Sequence, residues 1–195
     1  MAALALGLAQ APAPATPPAP MPGGLPRLLS ETGLFVPGST AETRPGVLAF
    51  APQYALWSDG AAKRRWLWLP PGRAIDGSRP DAWQFPRGTR LWKEFSQGGR
   101  VETRYIERAA DGSWRFGTYV WNAEGTDAVL APAGGIAALP VRGAPGGRYA
   151  VPSVDDCRAC HDGAPVPVLG VSALQLSADR DPGAPHAGGE APLDL

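Results

Sequence analysis

The chain has 195 residues, which is enough for one domain of ordinary size. Its 18 basic residues balance its 18 acidic residues, whereas nucleic-acid-binding proteins usually carry a basic excess or a basic stripe. No apolar run reaches the length of about 18 residues that a membrane-spanning helix needs. We therefore expect neither nucleic-acid binding nor a membrane span.

The two ends of the chain differ in composition from its middle. Residues 1–11 combine a short apolar run with an A-x-A cleavage pattern, which is typical of the end of a secretory signal peptide; the alternative is an Ala-rich, disordered N-terminus. The Ala/Pro-rich residues 12–29 predict an extended linker, and residues 179–195 predict a disordered tail. All the aromatic residues lie between Phe35 and Tyr149, so residues 30–178 are left as a single domain of a periplasmic or secreted protein.

The middle of the chain has the composition of a β protein. Residues 64–69, 89–95, 100–108 and 114–122 are rich in aromatic and β-branched residues. Turn sequences around Gly98 and Gly112 separate the last three of these runs. We predict a mainly β (α+β) fold, an antiparallel meander with short helices. Residues 130–140 are a loop or a weak helix, and a helix starts at Val154 with Ser153 as its N-cap.

One motif in the sequence is specific for a cofactor. Residues 157–161 have the sequence C-R-A-C-H, the attachment motif of c-type haem. Cys157 and Cys160 would form thioethers with the haem vinyl groups, and His161 would be the proximal iron ligand. Residues 30–178 are thus predicted to be a single c-type haem domain with one covalently attached haem c near its C-terminus.

Three other interpretations of this motif remain open. A redox-active C-x-x-C pair should follow a strand in a βαβ unit, which the sequence does not predict. A structural zinc site needs four ligands, and only His186 in the tail could add another Cys or His ligand. A plain disulfide would not require His161.

The sequence offers few candidates for the sixth iron ligand. Electron-transfer cytochromes commonly use a distal Met or His, yet the only methionines are Met1 and Met21 and the only other histidine is His186. We therefore predict an open sixth position that binds or oxidises a small nitrogen or oxygen species. The alternative is an electron-transfer cytochrome that relays electrons to a redox partner protein.

Lys93 is the first of three candidate catalytic residues. Alternation within the predicted strand 89–95 places Lys93 on one face with Leu91 and Phe95, where an amine is costly unless it has a role. Burial would lower its pKa and make it nucleophilic. The alternative is an edge lysine whose stem covers apolar surface while its amine reaches water.

Glu102 and Arg104 are the other two candidates. They share one face of the predicted strand 100–108, where they form a structural ion pair or line a distal pocket. A haem enzyme needs a proton relay beside its substrate, and these residues together with Glu94 can supply one.

Residues 85–95, F-P-R-G-T-R-L-W-K-E-F, resemble the F-x-x-G-T-x-x-x-K-E segment of the cytochrome P-460 family. Residues 114–121 resemble that family's aromatic strand ahead of the haem, and residues 156–161 its C-terminal C-x-x-C-H. The resemblance implies an antiparallel β haem fold. It also implies a cross-link between Lys93 and haem and the oxidation of hydroxylamine. The related cytochrome c′-beta has the same fold without the cross-link and binds gases such as nitric oxide.

A second resemblance covers residues 30–177. The sequence L-W-S-D-G-A-A-K at residues 56–63, with E-T-R at 102–104 and Y-V-W-N at 119–122, is similar to an uncharacterised family of bacterial secreted c-haem proteins. That family has no agreed activity. It implies haem binding and secretion, and it implies no particular reaction.

Overall fold

The protein is built around one antiparallel sheet. The computed structural model describes residues 24–54, 56, 58, 60–179 and 181–183. Six strands follow one another in chain order across this sheet: β1 (Val47–Ala49), β2 (Ala62–Trp68), β3 (Arg90–Ser96), β4 (Arg100–Arg108), β5 (Trp114–Trp121) and β6 (Ala128–Leu130). The predicted mainly β meander is thus confirmed.

Smaller elements surround this sheet. A two-stranded ribbon consists of β7 (Ile136–Pro140) and β8 (Arg148–Val151), and it leads into the helix α1 (Val154–His161). Two 3₁₀ turns span Leu29–Thr32 and Pro145–Gly147. The weak-helix interpretation of residues 130–140 is wrong, because most of this segment pairs as strands. No helix among the described residues is long and apolar enough to cross a membrane.

Tight turns set the register of the central hairpins. Gly98 between β3 and β4 has φ of +69°, and Gly112 between β4 and β5 has φ of +91°. Both values favour glycine because other residues rarely adopt a left-handed backbone. The Asp111 carboxylate also accepts hydrogen bonds from the backbone N–H and the hydroxyl of Ser113. The two turn sequences therefore form the hairpins that they predict.

One face of the sheet carries an aromatic core. Trp66, Trp92 and Tyr105 stand directly opposite one another across β2, β3 and β4. The rings of Trp92 and Tyr105 lie 5.6 Å apart, a contact that adds about 0.5–1.5 kcal/mol beyond burial. The 3₁₀ turn Leu29–Thr32 covers this face, and the hydroxyl of Thr32 accepts a 2.9 Å hydrogen bond from the Trp92 indole.

The opposite face positions the candidate site. Leu67, Leu91, Ile106 and Phe116 form an apolar row across β2 to β5. Residues near the C-terminal end of the described chain pack against this row, among them Val168. The same face carries a second row of side chains, displaced by two residues along each strand from the apolar row. This second row is polar.

The described chain reaches beyond the predicted domain boundaries at both ends. Leu25 packs against the aromatic core, and the carbonyl of Pro26 accepts a hydrogen bond from the Tyr119 hydroxyl; both lie within the range predicted as linker. The N–H of Asp181, in the predicted tail, donates to the side chain of Gln53. The predicted signal peptide, residues 1–11, lies outside the described residues.

The Thr32 hydroxyl predicts a measurable loss of stability. Thr32 is buried, donates to the Leu29 carbonyl and accepts from Trp92. The T32V variant leaves the buried indole N–H without its partner, which should cost about 1–3 kcal/mol in the free energy of unfolding. Urea denaturation checks this value. The matched T126V variant, at an exposed hydroxyl, should change stability by less than about 0.5 kcal/mol; equal losses in the two variants would contradict the argument.

Candidate haem and small-ligand site

The C-x-x-C-H motif lies on a capped helix. The Ser153 hydroxyl accepts from the N–H of Asp156, and the Asp156 carboxylate accepts in return from the N–H of Ser153. This reciprocal capping satisfies two N–H groups of the first turn and confirms Ser153 as the predicted N-cap. The helix therefore starts at Val154 and carries both cysteines and His161.

The two cysteines sit in different surroundings. Both are free thiols; Cys157 is half-buried and Cys160 is exposed. Burial raises the pKa of the Cys157 thiol. The charge of Arg104 and a hydrogen bond from the Thr118 hydroxyl of β5 both act in the opposite direction and lower this pKa. Among the described residues, no three or more His, Cys, Asp or Glu side chains form a cluster that could hold a metal ion.

His161 has a defined orientation. Its ring centroid lies 5.4 Å from that of Phe116 on β5, and its Nδ1 lies 3.0 Å from the carbonyl oxygen of Pro167. Since a carbonyl oxygen only accepts hydrogen bonds, Nδ1 carries the proton and Nε2 keeps its lone pair. Burial lowers the pKa of His161 despite the Pro167 hydrogen bond, so the ring is neutral at pH 7. A neutral ring held at Nδ1 by a carbonyl is the usual state of a metal-ligating histidine.

A cavity of about 70 Å³ brings His161 together with three cationic side chains. These are Arg65 of β2, Lys93 of β3 and Arg104 of β4. Among the described residues, the rest of the lining is apolar and consists of Phe50, Leu56, Leu91, Trp92, Ile106, Val168 and Leu169. The structure thus places three of the six predicted site residues, Lys93, Arg104 and His161, around one space.

Lys93 points into this cavity from the middle of the sheet. It shares its face with Leu91 and Phe95, as strand alternation predicts, and its Nζ lies 4.9 Å from the centre of the Phe95 ring. Burial lowers the pKa of Lys93 to about 7, and the charges of Arg65 and Arg104 contribute to the shift. The amine is therefore partly neutral at physiological pH, a state in which it can act as a nucleophile or exchange a proton.

Glu102 acts behind the cavity rather than in its wall. Its Oε1 accepts two 2.7 Å contacts from the Arg104 guanidinium and a 3.1 Å hydrogen bond from the Tyr149 hydroxyl of β8. The side chain is 0 % exposed, and this burial raises the pKa of Glu102. Glu102 and Arg104 thus form the structural ion pair that was one of their two predicted roles, and Arg104 also lines the cavity.

Glu94, the further relay candidate, lies on the opposite face of the sheet. Its carboxylate is 3.2 Å from the Arg100 guanidinium. Glu94 directly follows Lys93 along β3. Because successive side chains of a strand point to opposite faces, the sheet lies between these two side chains. It does not reach the cavity.

The W-S-D-G-A segment supports the cavity wall. The Ser58 hydroxyl donates to the Ala61 carbonyl, and the Ala61 N–H donates to the Ser58 carbonyl, which forms a tight turn before β2. The Lys63 amine then donates to the carbonyl of Leu56, a lining residue. Trp57 and Asp59 of this motif lie outside the described residues.

Sequence reasoning missed Arg65 and the segment that covers the cavity. The position of Arg65, in phase with Leu67 along β2, is the one signal that could have found it. Long-range packing brings the segment Pro167, Val168 and Leu169 over the sheet. No local pattern in the sequence predicts this contact.

The donor set fits a c-type haem. The chain offers two free thiols three residues apart and a neutral imidazole whose Nε2 is available, which is the chemistry that the attachment motif requires. The cavity itself is far smaller than the roughly 300 Å³ of the smallest pockets for cofactor-sized ligands. As it stands it accommodates a small molecule, and a macrocycle would enter it only if the covering residues 166–169 moved.

Comparisons with protein-family models, with curated proteins and with solved structures found no match to this chain. The resemblances to cytochrome P-460 and to the secreted c-haem family therefore stay predictions. The assignment of Cys157, Cys160 and His161 depends on the motif and on the geometry of α1 against the sheet.

The lowered pKa of Lys93 predicts an unusual pH profile for its acylation. Only the neutral amine reacts, so the rate should rise with pH to a midpoint near 7. The haem-free C157S/C160S chain is treated with an acylating ester at graded pH. Mass spectrometry distinguishes the peptide that contains Lys93 from the one that contains Lys63, and it measures how fast the Lys93 peptide is acylated. A midpoint near the ordinary lysine pKa of 10.5 would contradict the burial of Lys93.

Proposed function

We propose that this protein is a periplasmic mono-haem c-type protein that binds or oxidises a small nitrogen or oxygen species. Cys157 and Cys160 hold the haem, and His161 is its proximal ligand. The observation that supports this most strongly is the position of His161: it donates from Nδ1 to the Pro167 carbonyl and lines the same cavity as Lys93 and Arg104.

Attachment would use the two thiols of α1. Each thiol would add across a vinyl double bond of haem: one S–C bond would form, the S–H bond and the vinyl π bond would break, and the hydrogen would go to the neighbouring carbon. No external oxidant or reductant is needed for this addition. The exposed Cys160 and the half-buried Cys157 lie one helical turn apart, which lets one short helix present both sulfur atoms.

The bound haem would supply an iron centre for the small ligand. The chain's own residues would then orient that ligand and handle protons. Lys93, with its pKa lowered to about 7, can hold or release a proton inside the cavity at neutral pH. Glu102 fixes the Arg104 guanidinium through two contacts, so Arg104 offers hydrogen-bond donors in a fixed position.

The described residues favour an open sixth position over a filled one. They contain no methionine, and His161 is their single histidine. A pure electron-transfer cytochrome usually fills both axial positions. Ligand binding is therefore our first proposal, and electron relay to a redox partner is the outcome that its test must separate from it.

Covalent haem is tested by intact-mass measurement. The chain is produced in the periplasm together with the cytochrome c maturation factors. We expect the mass to increase by one haem, and the increase to be absent in the C157S/C160S variant. The R158M variant, between the two cysteines, is the matched control and should retain haem. A folded chain without covalent haem would refute the proposal. A haem peptide that also carries the Lys93 peptide would establish the predicted cross-link.

The open sixth position is tested by absorption spectroscopy. The matured protein should have the bands of high-spin iron, and nitric oxide should shift them. The K93L variant, which adds no iron-ligating side chain, should retain this spectrum and oxidise hydroxylamine more slowly, because leucine cannot exchange protons with the substrate. Sharp, low-spin bands that do not respond to nitric oxide would instead support electron transfer.

A further inference from the structure

Three cationic side chains form a row across the middle of the sheet. Arg65 of β2 stands directly opposite Lys93 of β3, and Lys93 stands directly opposite Arg104 of β4. All three line the 70 Å³ cavity. The next position in the row, on β5, is the uncharged Thr118. We call Arg65, Lys93 and Arg104 the cationic row.

This arrangement is unfavourable by itself. Like charges directly opposite each other on neighbouring strands destabilise a sheet, and partial burial strengthens their repulsion because it lowers the local dielectric constant. Among the described carboxylates, Glu102 is the one that opposes the positive charges acting on Lys93. Its Oε1 is already engaged by Arg104 at 2.7 Å and by Tyr149 at 3.1 Å. Arg65 has an interaction partner as well. Among the described residues, the positive charge at Lys93 therefore has no carboxylate of its own in the cavity.

The space above the row has the size of a small anion. A volume of about 70 Å³ is several times the roughly 10–15 Å³ that a cavity needs to hold one water molecule, so a small anion fits in it. Guanidinium and ammonium groups are the usual protein ligands of oxyanions and carboxylates. The apolar remainder of the lining, with Leu91 and Ile106 beside the row, lowers the local dielectric constant and so strengthens any ionic contact made there.

We propose that the cationic row is an anion-binding site, which takes a small monovalent oxyanion or one carboxylate of a larger ligand in the cavity. Two sources supply this chemistry: a free anion in solution, or a carboxylate of the haem itself. The first source needs no haem, whereas the second depends on the proposed function. Both place the negative charge between Lys93 and its cross-strand neighbours.

Nitrate titration tests the site. Isothermal titration calorimetry is carried out on the full chain as matured and on the haem-free C157S/C160S chain, with nitrate as the probe. Saturable binding in both forms identifies a free-anion site. Saturable binding in the haem-free chain alone identifies a haem carboxylate as the occupant. Absence of saturable binding in both forms would overturn the proposal, whatever the haem content found by mass.

Matched variants locate the binding. In the haem-free chain, K93M should weaken nitrate binding at least tenfold. K93R, which keeps the positive charge, should bind nitrate about as tightly as the unsubstituted haem-free chain does. R64M is the control, because Arg64 precedes Arg65 on β2 but faces the other side of the sheet, towards Glu94. Nitrate binding that K93M leaves unchanged would overturn the assignment to the cationic row.

Crystals grown in bromide provide a readout independent of affinity. The anomalous signal should place a bromide ion in the cavity beside Lys93. Bromide found only elsewhere on the protein would count against the proposal. Circular dichroism of every variant establishes that the chain is folded before either experiment is interpreted.

Discussion

Alternation along the four long strands β2 to β5 determines which side chains meet in this protein. The strands pair without interruption from Trp66 through Trp92 to Tyr105 on one face, and from Arg65 through Lys93 to Arg104 on the other. A shift of one residue in any of these pairings would exchange the two faces. The aromatic core and the cavity are thus two consequences of one register.

The two faces have different physical roles. The aromatic face provides stability, because its large rings are almost fully buried and Thr32 satisfies the Trp92 indole. The other face gives up part of that stability by placing cations beside one another. Residues that break a local rule in an otherwise consistent sheet are expected at functional sites. The cationic row, next to the neutral and fixed His161, is such a place.

The sequence predicted much of this fold and part of its site. The boundaries of β4 and the cap of α1 were predicted closely, because β-forming residues bounded by glycine turns and a Ser-x-x-Asp cap are local patterns. The β7–β8 ribbon was not predicted, since short strands of small residues carry no clear alternation. The position of Lys93 on one face with Leu91 and Phe95 follows from period two alone, whereas its burial depends on the residues that pack over that face. The contact of Pro167 with His161 does not, because it depends on a chain segment that packs back over the sheet.

The proposed function has one structural requirement: α1 would have to hold haem on the face of the sheet that carries Lys93. The cavity is too small for a macrocycle, so the residues covering it, 166–169, would have to move for haem to enter it. The most direct measurement is a crystal structure of the chain matured in the periplasm. We expect continuous density from both Cys157 and Cys160 to the haem, and iron bound by Nε2 of His161, with Lys93 on the same side of the sheet. A disulfide between Cys157 and Cys160, or a His161 ring turned away from iron, would contradict the account.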